Sequence, residues 1–457
     1  MSKVSSGNLV VHPLPYSLPA SHWFKKIRHL PLPVMLTSGN PDHPSSRYEI
    51  LAADPHSILK TFGAQTSITD TSNRHTVYSN ENPFQVLAKC CPVYPDTVAD
   101  EHELPFTGGA IGYFGYELLN PRDRQKKQVE ISLPDMLVGI YDWALIVDHH
   151  SQQTKAVFRD CAEARRLEIL QYLQNDAQQK FPAFVLNSPF VSNFNKEEYL
   201  QRFDRIINYI HAGDCYQVNL AQCFSAECHG DSLDAFLRLQ KIADAPFAAF
   251  LDDGEHAIFC FSPERFLQVK DCKVITQPIK GTRPRSPDPV IDAANRHDLE
   301  SSQKDRAENL MIVDLLRNDL GRICTTGSVK VDSLFEVQSF TNVHHLVSTV
   351  SGNLEAPADV FALLAACFPG GSITGTPKIR AMEIIDELET KPRSVYCGSI
   401  AYIDHNGNMD SNIAIRTLVR DGNAIHCWGG GGIVADSKGN DEYQETLDKI
   451  SILLNNL

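Results

Sequence analysis

Lys280 lies in the segment Gln277-Pro278-Ile279-Lys280-Gly281-Thr282-Arg283-Pro284, bracketed by Pro278 and Gly281. That punctuation puts it where a strand gives way to a turn. A lysine becomes a nucleophile when burial or neighbouring charge leaves part of it unprotonated. Glu264, in Ser262-Pro263-Glu264-Arg265-Phe266, follows an apolar strand candidate and is placed to act as a general acid if its pKa is raised. On spacing alone, a solvated strand-end lysine and a simple ion pair of Glu264 with Arg265 or another cation fit these segments better than the catalytic roles do.

Asp305 and Glu308 share one face of a helix, and in the last helix Asp441, Glu442 and Glu445 lie off the apolar stripe Tyr443, Leu447, Ile450 and Leu454. Carboxylates from two helices would grip a hard cation such as Mg²⁺ if they met at one pocket; otherwise they are solvated faces. The glycine-rich run Pro369–Lys378 leads into a predicted helix with Thr376 as N-cap and Pro377 in its first turn, a start that suits a carboxylate or phosphate. Gly429–Gly432 could present bare backbone N–H groups to an anion, and Arg416 offers a bidentate partner for a carboxylate. Neither glycine segment matches a Walker A loop or a dinucleotide fingerprint. The set suits a small dianionic acid with a divalent metal.

The elements that must position these residues arrive in groups. Residues 1–150 are strand-rich, including the apolar run 136–147, and a polar helix is predicted over 162–180 with a linker over 181–195. Asn195 and Glu198 form a capping-box pair opening a helix that Gly213 stops. Strands are predicted at 218–224, 257–261, 273–277, 399–403 and 413–419, and helices at 305–317, from 376 and from about 442. Grouping of this kind predicts an α+β fold, divided as 1–150, a helix and linker at 151–190, and a catalytic region at 191–457.

Composition narrows the function. With 42% hydrophobic and 21% charged residues the chain reads as an ordinary globular protein, and a net charge of −14 argues against nucleic acid or an anionic membrane as partner. Residues 1–10 do not resemble a signal peptide, and the most apolar later stretch, 360–368, is too short to span a bilayer. The twelve cysteines show no C-x-x-C spacing, as expected of reduced thiols in a cytoplasmic enzyme.

The motifs PIKGT, DRAENLMIVDLLRNDLGR, VHHLVS, FPGGSITGTPK, IAIRTL, GGGIVADS and EYQET, in this order, resemble those of the chorismate-utilising enzymes over nearly the whole chain. That family includes anthranilate, aminodeoxychorismate, isochorismate and salicylate synthases. The resemblance implies a β-sandwich of antiparallel sheets formed by two interleaved subdomains, with helices packed outside. It implies Mg²⁺ on Glu308 and Glu445, and chorismate held by Thr282, His345, Thr376, Tyr402, Arg416, Gly430, Gly431 and Gly432. Two positions separate the branches. Residue 280 is lysine, as in aminodeoxychorismate synthases, where anthranilate synthases have alanine; residue 217 is glutamine, where the water-using branches have a lysine base. The implied reaction has Lys280 attacking chorismate while Glu264 protonates the departing hydroxyl, followed by ammonia.

No cysteine sits in a Gly-x-Cys-x-Gly elbow, so ammonia is expected free or from a separate glutamine amidotransferase subunit. Ser38, Pro44, Ser45, Ser46 and Arg47, with Pro246 and Phe247, resemble the tryptophan pocket of the family; a filled loop without ligand is the alternative. The rival functions are an anthranilate synthase component, a silent chorismate- or tryptophan-binding subunit, and a Schiff-base lyase using Lys280.

Overall fold

In the computed structural model of the chain, which describes residues 8–39, 46–94, 103–119, 131–175, 181–340 and 343–457, the apolar run 136–147 breaks at Asp142. Its halves, Met136–Tyr141 and Trp143–Asp148, belong to different sheets. The same device recurs at the site. His256–Ser262 lies in one sheet and Arg265–Lys270 in the other, so Pro263 and Glu264 form the crossing. Met409–Asn412 and Thr417–Asp421 are likewise split, with Arg416 in the crossing between them.

Both sheets are antiparallel. The first runs, strand by strand, 9–14, 153–159, 143–148, 48–52, 34–37, 247–252, 256–262, 417–421, 424–433 and 217–229. The second runs 279–284, 343–353, 273–276, 265–270, 409–412, 399–404, 109–114, 136–141, 57–62, 65–70 and 76–79, with 330–339 on the other edge of 343–353. Each sheet therefore takes strands from both ends of the chain, which is the interleaving the α+β sandwich required.

Side-chain alternation sorts the core into two layers. Along Phe247–Asp252, Ala249 and Leu251 face a cluster between the sheets that includes Phe266, Ile400 and Trp428. Ala248 and Phe250 face a second cluster under the outer helices, with Phe24, Phe236, Phe259 and Trp143. A strand buried on both faces reads as an unbroken apolar run, which is why the sequence showed blocks instead of alternation.

Some local expectations shift. The predicted linker 181–195 holds two short strands, Val185–Leu186 and Val191–Ser192, paired with Gln217–His229. The Asn195–Glu198 capping box is formed at Lys196–His211. The helix expected from Thr376 begins at Lys378, capped by Pro377 without a side-chain hydrogen bond, while Gly375–Thr376 pairs as a strand with Gln217 and Val218. Pairing of the Thr376 backbone with that strand removes it from the cap. Residues 413–416 form a crossing and not a strand.

Candidate active site

Lys280 is re-aimed by a bulge. The register of Ile279–Pro284 against Val343–Asn353 shifts between Ile279 and Thr282, and Gly281 takes φ +80°. A Cβ there would lie 2.8 Å from the Asp305 carboxyl carbon and from Leu299 Cδ1, and the positive φ already disfavours any residue but glycine. The lysine stem is half-buried and its Nζ points to the carbonyl of Ser372, 3.3 Å away. Burial lowers the amine's pKa, with Lys449 adding to this, while Glu264, Glu308 and Glu445 oppose it.

Glu264 is 7% exposed, and its carboxyl is raised by burial against the opposing influence of Ser372, Lys280 and Lys449. Its backbone is fixed on both sides: the Glu264 N–H donates to Ser262 Oγ and its carbonyl accepts from Ile413 N–H. Ser372 Oγ donates to Glu264 Oε1 at 2.8 Å.

Glu308, on the helix Gln303–Gly321, is also raised by burial, with Asp305 and Glu445 adding and Lys280 and Lys304 opposing. Glu445 comes from Gly439–Leu454 and pairs with Lys449 at 2.6 Å. The two helices do converge, since Lys280, Glu308 and Glu445 fall within each other's electrostatic reach. Among the described residues no three His, Cys, Asp or Glu side chains form a ready-made metal cluster. Carboxylates from two converging helices still fit Mg²⁺, which keeps several waters and completes its shell with substrate oxygens.

The four glycines lie against close neighbours, and the tightest is helix backbone at Gly429. A Cβ at Gly429 would sit 2.2 Å from the Thr446 carbonyl oxygen of the last helix, and one at Gly430 would meet Tyr396 Oη at 2.8 Å. At Gly431 it would approach Glu442 and Glu445, and at Gly432 the Gln217 amide. Bare backbone therefore lets the helix bearing Glu445 and the phenol of Tyr396 close on this strand.

His345 is 6% exposed and its pKa falls to about 4, through burial first and then Arg416, so it is neutral at pH 7. Its Nδ1 is 2.9 Å from Thr282 Oγ1. Arg416 holds φ +51° in its crossing, burial alone lowers its pKa, and no carboxylate among the described residues pairs with it. An unpaired, partly buried guanidinium next to a neutral imidazole is a site for an anion.

These sequences have known relatives. A family model described as chorismate binding enzyme matches residues 35–455. Aminodeoxychorismate synthase component 1 of Escherichia coli (strain K12) is 47% identical over 442 residues, 96% of each chain. Anthranilate synthase component 1 of Pseudomonas putida is 34% identical, over 93% of this chain and 90% of that one. The crystal structure of anthranilate synthase component I from Streptococcus pneumoniae TIGR4 superposes with a TM-score of 0.77 at 32% identity, covering 90% and 93%. The chain belongs to the chorismate-binding enzyme family.

Within this chorismate-binding enzyme, Lys280, Glu264, Glu308, Glu445, Thr282, His345, Arg416 and the glycine strand are brought together. Thr376 is adjacent, paired with Gln217, its Oγ1 buried without a partner. Tyr402 is not brought in: it lines a separate cavity and packs edge-on against Phe106. The phenol at the glycines is that of Tyr396, which stacks on Trp428 at 6.1 Å. Position in the chain misled here, because Tyr396 precedes the strand Ser399–Asp404 and carries no strand signal. Lys449 was also missed, although its i+4 spacing from Glu445 is legible in sequence.

The separate cavity holds about 660 Å³ and is lined by Ser38, Arg47, Pro246 and Phe247 of the expected tryptophan pocket, with Tyr48 and Asp410. Arg47 is held between Asp148 and Glu103 and stacks on Tyr48. Ser46 is fully buried, its Oγ donating to the Ser38 carbonyl, so it shapes the wall. Pro44 and Ser45 lie outside the described residues.

Proposed function

We propose that this chain is the chorismate-converting component of an aminodeoxychorismate synthase, turning chorismate and ammonia into 4-amino-4-deoxychorismate for p-aminobenzoate and folate synthesis. The observation that carries the reading is a burial-depressed amine, Lys280, set beside a burial-raised carboxyl, Glu264, in a chain 47% identical to a component 1 of that enzyme.

Arg416, Thr282, His345, Tyr396 and the glycine strand hold and orient the substrate's carboxyl and enolpyruvyl groups. Glu308 and Glu445 would hold Mg²⁺, which when bound neutralises a ring carboxylate. The neutral Lys280 amine forms a C–N bond at C2, the two conjugated ring double bonds shift, and the C4–O bond breaks as Glu264 gives its proton, releasing water. Ammonia then bonds to C4, the conjugated double bonds shift back, the C2–N bond breaks to return the neutral Lys280 amine, and the surplus proton on the new C4 ammonium returns to the Glu264 carboxylate. One water leaves and one ammonia is taken up.

A separate glutamine amidotransferase subunit supplies the ammonia in this reading, as the words component 1 in the relatives' names suggest. L-Tryptophan occupies the separate cavity, whose aromatic and paired charged groups suit an amino acid. A cytoplasmic location accords with twelve free thiols and with the lack, among the described residues, of any helix long and apolar enough to cross a membrane.

Turnover of chorismate with ammonium and Mg²⁺, followed by chromatography, tests the reading. Aminodeoxychorismate is expected; release of fluorescent anthranilate would refute it. Lys280→Ala should abolish both turnover and the covalent adduct seen by mass spectrometry, and an unchanged adduct would remove the lysine from the chemistry.

A further inference from the structure

Ser372 occupies a position that no motif reading singles out. It is 8% exposed, in the 3₁₀ turn Gly371–Ile373, and it meets both reactive groups at once. Its hydroxyl donates to Glu264 Oε1 at 2.8 Å, and its carbonyl accepts from Lys280 Nζ at 3.3 Å. The other carbonyls of the turn are taken. Thr374 Oγ1 donates to Gly370 O and Gly371 O, Arg393 to Ile373 O, and the Asn219 N–H to Thr374 O. Arg393 is itself fully buried and fixed by Glu389 at 2.6 Å. The turn is thus pinned to the sandwich, and only Ser372 faces the chemistry.

Each contact has a directional consequence. A neutral amine that donates one N–H to a fixed carbonyl has its lone pair aimed away from that carbonyl. A protonated carboxyl whose Oε1 accepts a hydroxyl proton keeps its own proton on Oε2, the free oxygen. We propose that Ser372 is the positioning residue of the reaction, its carbonyl orienting the Lys280 lone pair and its hydroxyl fixing which Glu264 oxygen carries the proton to the leaving group. The proposal rests on the functional reading above, and Ser372 touches neither substrate nor metal in it.

The charged and titratable groups facing Glu264 are Lys280, Lys449 and Cys397, and the serine hydroxyl is a further influence that lowers its pKa. Removing the hydroxyl therefore lets the Glu264 pKa climb while leaving the backbone carbonyl on Lys280. In Ser372→Ala, kcat with chorismate and ammonium should fall about 10- to 100-fold, part of the ~10²- to 10⁴-fold that a well-placed general acid supplies, with KM changed less than about 3-fold. The alkaline limb of the kcat/KM profile should move to higher pH, and Ser372→Thr should restore both. Ser372→Cys, with a weaker donor of similar size, should move the limb the same way by less, and serves if the alanine variant does not fold. An unchanged kcat, or a loss of kcat with the limb unmoved, would overturn the proposal and leave Ser372 a structural residue. A wild-type enzyme without turnover would refute the functional reading instead, and this proposal with it.

Discussion

Replacing Gly429 by alanine should move the last helix and dismantle the acidic side of the site. The new Cβ would be 2.2 Å from Thr446 O, whereas ordinary contact begins near 3.4 Å. The obstructing atom is helix backbone, one residue from Glu445, so it cannot rotate away; Ile450 Cδ1 stands behind it at 3.2 Å. Relief requires the helix Gly439–Leu454 to back off by about 1 Å, at the ~1–3 kcal/mol typical of overpacking. Unfolding entropy grows with chain length, so for 457 residues a Tm drop of roughly 1–2 °C per kcal/mol follows. The same shift carries Glu445 away from Glu308 and should cost about 100-fold in kcat/KM, the scale of a 1 Å misplacement.

Gly431→Ala is the internal control. Its Cβ meets the far ends of Glu442 and Glu445 at 3.1 and 3.5 Å, side chains able to swing aside, so the melting temperature should hold closer to wild type. Calorimetric unfolding, Mg²⁺ titration and chorismate turnover on the two variants read the difference. A Gly429→Ala enzyme with wild-type Tm and kcat/KM would refute the reasoning that these glycines exist to admit the helix.

Arg416→Lys keeps the charge but loses the fork, so KM for chorismate should rise about 10- to 100-fold, the worth of a bidentate charged contact; an unchanged KM would place the substrate carboxylate elsewhere. His345 gives a pH signature. Its folded pKa of about 4 lies below the ordinary 6.5, so its contribution to stability is intact above pH 6.5 and is lost as the pH falls towards 4. That interval corresponds to about 3 kcal/mol. Denaturant midpoints of His345→Gln should therefore show a shallower acid decline than wild type between these limits, and parallel declines would exclude the buried neutral imidazole.

Much of the site was legible because its parts are local. The capping box at Asn195 and Glu198, the helix faces bearing Glu308 and Glu445, and the glycine run are each set within a few residues, whereas Lys280, expected at a strand-to-turn junction, lies inside the bulged strand Ile279–Pro284. Spacing along a helix or across a turn is set by bond geometry, so sequence suffices there. It sufficed also for the α+β class, since long apolar blocks with grouped strands leave few other packings.

What tertiary structure alone decided is which local features meet. Glu264 and Arg416 matter because the chain crosses between sheets at Pro263–Glu264 and at residues 413–416, and those crossings are bonded to each other through Ile413 N–H and Phe261 N–H. No pattern in either segment announces a change of sheet. Tyr396, not Tyr402, reaches the glycines because the chain turns before the strand begins, and Tyr402 then faces the other cavity. Ser372 and Lys280 are far apart in sequence, and Lys280 and Glu445 farther still. Such pairs are fixed by strand order and core packing, which depend on every other strand at once; the sequence supplies the reacting groups, and only the closed sandwich sets the distances between them.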